Sequence, residues 1–294
     1  MTSTKLRRTV FAGSWYPSTP AECEKEINGF LEEGQQLDIP TGEWVGGIVP
    51  HAGWYFSGSI ACNVINSLKS GDPPDVLVVF GMHLHPNDPC VMMTEGAWET
   101  PFGEIRVEAQ LAAELARQFP FTIESYDNFT QDNTIELQLP FIKYFFKNAR
   151  IVAMGVPPAA ISLAIGQAVV DIAKRFDLNI KVIGSTDLTH YGPNYGFVSK
   201  GAGPQAVDWV RRQNDRRIID LMLEMDAEKV IEEALTSQNA CCAGAAATAI
   251  QTAKHLGADR AESIAYATSY DKNPADSFVG YVGIVFYKWF QNPI

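Results

Sequence analysis

Four of the five histidines in this sequence stand just after runs of apolar residues that are typical of buried strands. They are His51, His83, His85 and His190. In open α/β sheets, ligands bind at the carboxyl ends of the strands. Imidazoles gathered at such an edge are typical of a metal site or of acid–base catalysis.

The segment around His190 contains the most suggestive pairing. Asp187 lies three residues before it, and a carboxylate beside an imidazole can fix its tautomer and raise its basicity. We therefore consider His190 the candidate general acid or base, with Asp187 as its partner. The alternative is that Asp187 caps a turn and His190 only packs nearby. His255, the fifth histidine, comes near the end of a helical pattern, where a positive charge is favoured, and we assign it no chemistry.

The cysteines divide into isolated residues and one adjacent pair. An odd count of five in a long chain does not indicate a disulfide framework. Cys241 and Cys242 begin an Ala- and Gly-rich segment, where a helix N-terminus or a metal would favour a thiolate. The alternative is two small buried side chains. The sequence has no Cys-x-x-Cys motif, which argues against a structural zinc site, and no Gly-rich phosphate loop.

The composition indicates a globular protein with an acidic surface. The chain has 294 residues, 46% of them hydrophobic, and a net charge of −11, which argues against nucleic acid and anionic membranes as partners. No apolar run reaches the roughly 18 residues typical of a membrane-spanning helix. The start of the sequence is basic but lacks the apolar core of a signal peptide. We expect a cytoplasmic protein.

Strand and helix patterns alternate along most of the chain. The predicted strands are 44–49, 75–80, 151–156, 180–184, 263–268 and 278–287. The predicted helices are 57–68, 108–119, 135–146, 159–175, 205–225, 227–235 and 242–256. Residues 96–107 predict a hairpin, Pro140 should kink or restart its helix, and the last two strands should pair antiparallel because a short loop joins them. We predict one α/β domain over 1–294, with a central mixed, mostly parallel sheet flanked by helices.

Several motifs occur in an order that resembles the Memo family, including the bacterial proteins described as component B of an AmmeMemoRadiSam system. The motifs are Ala12–Tyr16, Pro50–Trp54, Gly81–His83, Thr100–Gly103, Glu136–Phe141, Ser185–Gly192, Cys241–Gly244 and Asp276–Tyr281. The likeness runs along nearly the whole chain, and ordered motifs are more specific than any single one.

The resemblance implies a fold shared with class III extradiol dioxygenases, which hold non-haem iron with two histidines and a carboxylate. In Memo proteins the corresponding site has two histidines and a cysteine. Carried over to this chain, the metal ligands are His51, His83 and Cys241. Asp187 and His190 then line the same pocket, with His190 as the acid–base residue. Fe(II) is the implied metal, and the thiolate would also suit copper or zinc.

The sequence departs from the family pattern at four places. The motif at Gly81 is one residue short, so His85 is an alternative to His83, although the following Pro86 favours His83. Cys242 is an alternative to Cys241. Asn133 and Gln138 stand where many or some family members have histidines, so we transfer no mechanism that needs extra imidazoles.

Three functions are compatible with these residues. The first is an iron-dependent oxidoreductase whose open coordination positions take a chelating substrate. The second is a non-catalytic binding or adaptor protein on a dioxygenase-like fold, and the third is a thiol redox protein that uses Cys241 and Cys242. The expected occupant of the pocket is a small molecule or a peptide, and a homodimer is an assembly that the sequence allows.

Overall fold

The structure is a computed structural model that describes residues 5–35 and 42–289. Within these residues it contains a central sheet of nine strands and a small sheet of three. The strands are β1 Leu6–Arg7, β2 Glu43–Val49, β3 Val76–Gly81, β4 Cys90–Met93, β5 Ala97–Trp98, β6 Ile105–Arg106, β7 Phe121–Glu124, β8 Arg150–Gly155, β9 Ile180–Ser185, β10 His190–Tyr191, β11 Arg260–Thr268 and β12 Phe278–Lys288.

The helices lie between and after these strands. They are α1 Pro20–Gly34, α2 Trp54–Ser67, α3 Ala109–Gln118, α4 Asn133–Glu136, α5 Leu139–Phe145, α6 Ala160–Arg175, α7 Pro204–Trp209, α8 Asp215–Leu223, α9 Ala227–Ser237, α10 Ala243–His255 and α11 Ser269–Lys272. A π-helical turn over Val210–Asn214 joins α7 to α8, and Pro193–Tyr195 forms a 3₁₀ turn. No helix in the described part of the chain has the length and apolar character needed to cross a bilayer.

The central sheet is mixed, as predicted. Its order is β10–β12–β2–β9–β3–β8–β4–β7, and β11 also pairs with β12. The four middle strands, β2, β9, β3 and β8, run parallel. Antiparallel pairs flank them on both sides. The predicted antiparallel pairing of the last two strands is confirmed, and so is the hairpin of β5 and β6.

The middle strands are apolar throughout because helices cover both faces of the sheet. Every residue of β3 is buried, which is the usual pattern of a parallel strand. A Cβ at Gly47 would meet Val64 of α2, and a Cβ at Gly184 would meet the α10 backbone at Ala245. Gly184 pairs with Ile48, the residue after Gly47. Because successive residues of a strand point to opposite faces, α2 and α10 pack on opposite faces of the sheet.

Two predicted helices are divided. The pattern 135–146 gives α4 and α5, with Pro140 in the first turn of α5, a position where its missing N–H costs nothing. The pattern 205–225 is interrupted by the π-helical turn. The sequence interpretation left out α1, whose N-cap is Thr19, and the short strands β4 and β7.

The parallel strands bring three chain segments to one edge of the sheet. Residues that follow β2, β3 and β9 meet there, because these neighbouring strands point in the same direction. Helix α10 begins at the same edge. A Cβ at Gly244 would lie 2.4 Å from the carbonyl oxygen of Val156, so only glycine lets the first turn of α10 pack against the chain after β8.

Candidate metal centre

A cavity of about 580 Å³ opens at the carboxyl edge of the parallel strands. Four of the predicted site residues line it: His51, His83, Asp187 and His190. Its outer wall carries the aromatic side chains of Trp15, Tyr55, Phe56 and Tyr195. The sequence prediction that the strand-end residues converge agrees with this placement.

His51 is buried and held in one ring orientation by a chain of hydrogen bonds. The Ser185 hydroxyl donates to the carbonyl oxygen of Thr134 at 2.7 Å. Its oxygen lies 3.1 Å from His51 Nδ1, so Nδ1 carries the hydrogen and donates to it. This arrangement directs Nε2 into the site, as in metal-binding histidines whose other ring nitrogen is hydrogen-bonded.

His83 stands at the cavity wall, with 43% of its side chain exposed. Its Nδ1 lies 3.0 Å from Asp132 Oδ2, and its backbone N–H donates to the same oxygen. Burial alone would lower the pKa of His83, but hydrogen bonds to Asp132 and Cys241 raise it to about 10. Met82, just before it, has a φ of +68°, a left-handed conformation that turns the chain after β3.

Cys241 completes the cluster from the segment that leads into α10. Its Sγ lies 3.2 Å from His51 Nε2 and accepts a hydrogen bond from the Asp187 backbone N–H at 3.3 Å. Burial alone would raise the pKa of this thiol. Interactions with Cys242, His51 and His190 outweigh burial and hold the pKa well below its usual range, which favours the thiolate, the form that binds metals.

Asp187 and His190 lie beside these donors, as predicted. Asp187 Oδ1 accepts the His51 backbone N–H at 2.7 Å. Its Oδ2 is 3.9 Å from Nε2 of both His51 and His190. Burial is the largest influence on Asp187 and raises its pKa. Nε2 of His190 is buried and has no hydrogen-bond partner among the described residues.

A second cavity, of about 570 Å³, reaches the cluster from another side. Cys241 lines this cavity, whereas His51, His83 and Asp187 line only the first one. His190 and Tyr195 line both. The other walls of the second cavity are mostly apolar and include Leu84, Pro86, Pro158, Leu188, Phe197 and Leu235.

The alternatives left open by the sequence occupy distinct places. His85 is exposed, and its backbone N–H bonds to Asp88, so the structure brings His83 and not His85 into the cluster. Cys242 is buried beside Cys241, with the two Sγ atoms 3.8 Å apart. Asn133 donates to the His51 carbonyl oxygen, and Gln138 donates to that of Pro50. These two amides therefore hold the loop that carries His51.

The donor set fits a metal ion. One ligand atom from each of His51, His83, Cys241 and Cys242 lies within 4.8 Å of the others. His51 directs Nε2 toward Cys241 Sγ, and the lowered pKa of Cys241 favours the thiolate. Imidazole and thiolate together suit iron, copper or zinc.

The chain is similar to known proteins along nearly its whole length. The Memo family profile, described as "Memo-like protein", matches residues 7–285. The chain belongs to the Memo family. A MEMO1 family protein of Pyrococcus furiosus is 32% identical to it over 298 residues, which cover 96% of this chain and 99% of that protein. One of Methanopyrus kandleri is 31% identical, covering 95% and 98%. A crystal structure of an uncharacterised Escherichia coli K12 protein aligns with a TM-score of 0.47 at 9% identity, covering 76% of this chain and 91% of that one.

Several residues that shape this Memo site were not identified from the sequence. Asp132 orients His83, while Ser185 and Thr134 orient His51. Ser185 lies inside a recognised Memo motif, which was the one available signal. Glu136 lies in another motif, and its carboxylate accepts hydrogen bonds from the Tyr16 hydroxyl and from the backbone N–H groups of Val10 and Phe11, which ties the N-terminal motif Ala12–Tyr16 to the segment before α5.

Proposed function

We propose that this Memo-family chain is a metal-dependent oxidoreductase whose centre is held by His51, His83 and Cys241, with Fe(II) as its metal. The observation that carries the proposal is the convergence of His51 Nε2 and Cys241 Sγ, 3.2 Å apart, between the cavity that His51 lines and the second cavity that Cys241 lines. Three protein ligands would leave open positions for a chelating substrate. Bound iron would supply Lewis-acid and redox chemistry there.

His190 is the residue placed to move protons. Its side chain lines the cavity, and its buried Nε2 has no hydrogen-bond partner among the described residues. Asp187 Oδ2 lies 3.9 Å away, so a carboxyl group flanks the ring nitrogen that would exchange the proton. The Tyr195 ring packs against the His190 ring at 4.9 Å in an edge-to-face arrangement, which limits the orientations that the imidazole can adopt.

Anaerobic reconstitution with Fe(II) tests the metal centre. We expect the wild type to bind one equivalent, and His51→Ala and Cys241→Ala each to lose stoichiometric binding. His85→Ala is the matched control, because this histidine lies outside the cluster. Normal binding by both the His51 and Cys241 variants would refute the ligand assignment.

Turnover is tested separately, by admitting oxygen to the iron-loaded protein with a panel of catechols. We expect ring-cleaved product from the wild type, and from His190→Gln a large loss of turnover with unchanged iron content. Absence of product with every catechol would remove catechols as the substrate class.

A second candidate, a binding or adaptor protein without turnover, is favoured by the exposed aromatic residues at the cavity mouth. Trp15 and Tyr55 are 41% and 63% exposed, and exposed apolar groups around a cavity are typical of binding surfaces. A peptide array probed with the metal-loaded protein tests it. Binding that is lost in Trp15→Ala and Tyr55→Ala, without oxygen consumption, would favour the adaptor.

A further inference from the structure

Cys242 places a second sulfur beside the three predicted ligands. Its Sγ is 3.8 Å from that of Cys241, and it belongs to the group of four donors whose ligand atoms lie within 4.8 Å of one another. We propose that Cys242 is a fourth protein ligand, which this centre uses when it binds a thiophilic ion such as Zn²⁺ or Cu⁺. The inference rests on the metal centre of the proposed function and adds a coordination state to it.

The spacing of the two sulfurs matches tetrahedral coordination. With zinc–sulfur bonds of about 2.3 Å, a tetrahedral ion places two thiolates about 3.8 Å apart. The distance between Cys241 Sγ and Cys242 Sγ is 3.8 Å. Two imidazoles and two thiolates form the donor set of closed, four-coordinate zinc sites, and thiolates also select Cu⁺.

The main chain holds both sulfurs in place. The Cys241 N–H donates to the Asp187 carbonyl oxygen at 3.1 Å, and the Cys242 N–H donates to Thr186 Oγ1 at 3.0 Å. Cys242 is 3% exposed and is the N-cap of α10. Burial and the neighbouring Cys241 sulfur raise the pKa of the Cys242 thiol, so a metal ion that binds this sulfur would displace its proton.

The other buried cysteines show what an ordinary core thiol looks like in this chain. Cys23, Cys62 and Cys90 are also buried. Within residues 5–35 and 42–289, none of them belongs to a group of potential metal ligands. Cys242 differs from them in its neighbours, and these neighbours are the side chains that the Memo resemblance assigns to the metal.

A fourth protein ligand changes what the centre can do. A tetrahedral ion held by four side chains has no position left for a substrate, which is the difference between structural and catalytic zinc sites. Fe(II), which binds thiolates less strongly than Cu⁺ or Zn²⁺ does, would keep the three-ligand arrangement with open positions. With Cys242 as a ligand, the bound metal would therefore decide whether the centre has a coordination position open to a substrate.

Cobalt substitution tests the number of sulfurs directly. The reduced, metal-free wild type and the variants Cys242→Ala and Cys62→Ala are titrated anaerobically with Co²⁺. We expect the sulfur-to-cobalt charge-transfer absorption per bound ion to fall by about half in Cys242→Ala and to stay unchanged in Cys62→Ala. In competition with a chromophoric chelator, Zn²⁺ affinity should fall at least tenfold in Cys242→Ala, with Fe(II) affinity within twofold of the wild type.

Each outcome is decisive. Full charge-transfer intensity and unchanged Zn²⁺ affinity in Cys242→Ala would show that Cys242 is not a ligand. If Cys241→Ala then loses both the charge-transfer absorption and the Zn²⁺ affinity, the three-ligand centre of the proposed function still stands. A wild type that binds no Co²⁺ would overturn the metal centre and the fourth ligand together. If Cys242→Ala does not fold, a ¹¹³Cd chemical shift of the wild-type protein outside the range of two-thiolate sites would overturn the proposal.

Discussion

Asp187 and Cys241 are joined by two hydrogen bonds in opposite directions. The Cys241 N–H donates to the Asp187 carbonyl oxygen at 3.1 Å, and the Asp187 N–H donates to Cys241 Sγ at 3.3 Å. The two residues are 54 positions apart in the sequence. The loop after β9 therefore fixes both the main chain and the sulfur of Cys241, which leads into α10. The Asp187 N–H dipole also stabilises negative charge on that sulfur.

We predict that Ser185→Ala weakens metal binding without unfolding the protein. The substitution removes the oxygen that accepts the His51 Nδ1 hydrogen, and loss of such a partner typically lowers metal affinity 10–100-fold. Chelator competition measures the change. Ser67→Ala is the control, because its buried hydroxyl bonds to Val64 at the far end of α2. Equal affinities for the two variants would contradict the predicted role of Ser185.

We predict that Asp132→Asn lowers the pKa of His83. In the wild type, burial disfavours the protonated imidazole, but hydrogen bonds to Asp132 and Cys241 raise the pKa to about 10. Without the carboxylate, the pKa should fall toward the ordinary value of about 6.5. NMR titration of the histidine rings in the metal-free protein, assigned with His83→Gln, measures it. Asp88→Asn, beside His85, should leave His83 unchanged.

We predict that Gly244→Ala is destabilising although alanine favours helices. The new Cβ would lie 2.4 Å from the Val156 carbonyl oxygen, and overpacking of this kind typically costs about 1–3 kcal/mol. Because Cys241 and Cys242 precede this turn, metal affinity should fall as well. Gly29→Ala is the control, since nothing lies within 4 Å of its Cβ, and it should stabilise α1 slightly. Thermal unfolding compares the two, and equal stability would refute the prediction.

We predict that Asp215 makes the protein less stable as the pH rises through the weakly acidic range. Burial raises its pKa from 3.8 to about 6, so the fold favours the protonated form. This contribution to the free energy of unfolding is complete below pH 3.8 and is lost by about pH 6, a difference of about 3 kcal/mol.

Denaturant unfolding of the wild type and Asp215→Asn across this range tests the sign. The stability of the wild type relative to the variant should fall as the pH rises. Asp220→Asn, at a half-exposed position of the same helix with an ion pair to Arg216, should show no such trend. A difference between wild type and Asp215→Asn that is independent of pH would contradict the prediction.

The sequence was sufficient for the middle strands of the sheet and for the strand-end part of the site. Long apolar runs predicted β2, β3, β8 and β9 because parallel strands buried on both faces have no polar alternation. Because these strands were predicted to run parallel, the residues after β2, β3 and β9 were expected at the carboxyl edge of the sheet. The short strands β4 and β7 carry too few residues for a periodic signal.

The rest of the site depends on contacts between distant parts of the sequence. Asp132 reaches His83 across 49 positions, and Ser185 reaches His51 across 134, so no local pattern pairs them. Cys241 was identified through the Memo resemblance, because a residue before a helix has no strand-end signature. The left-handed Met82 is also hidden in the sequence, since only packing against Thr134 and Gly155 selects that conformation.

The two cavities that meet at His190 and Tyr195 have a kinetic consequence. A molecule that enters beside Trp15 reaches His83, whereas a molecule that enters beside Leu235 reaches Cys241. In the proposed oxidoreductase, two reactants arriving by these routes would not compete for one entrance, so neither would have to bind first. An inhibitor lodged on one side would leave the opposite approach free, giving noncompetitive rather than competitive inhibition toward the other reactant.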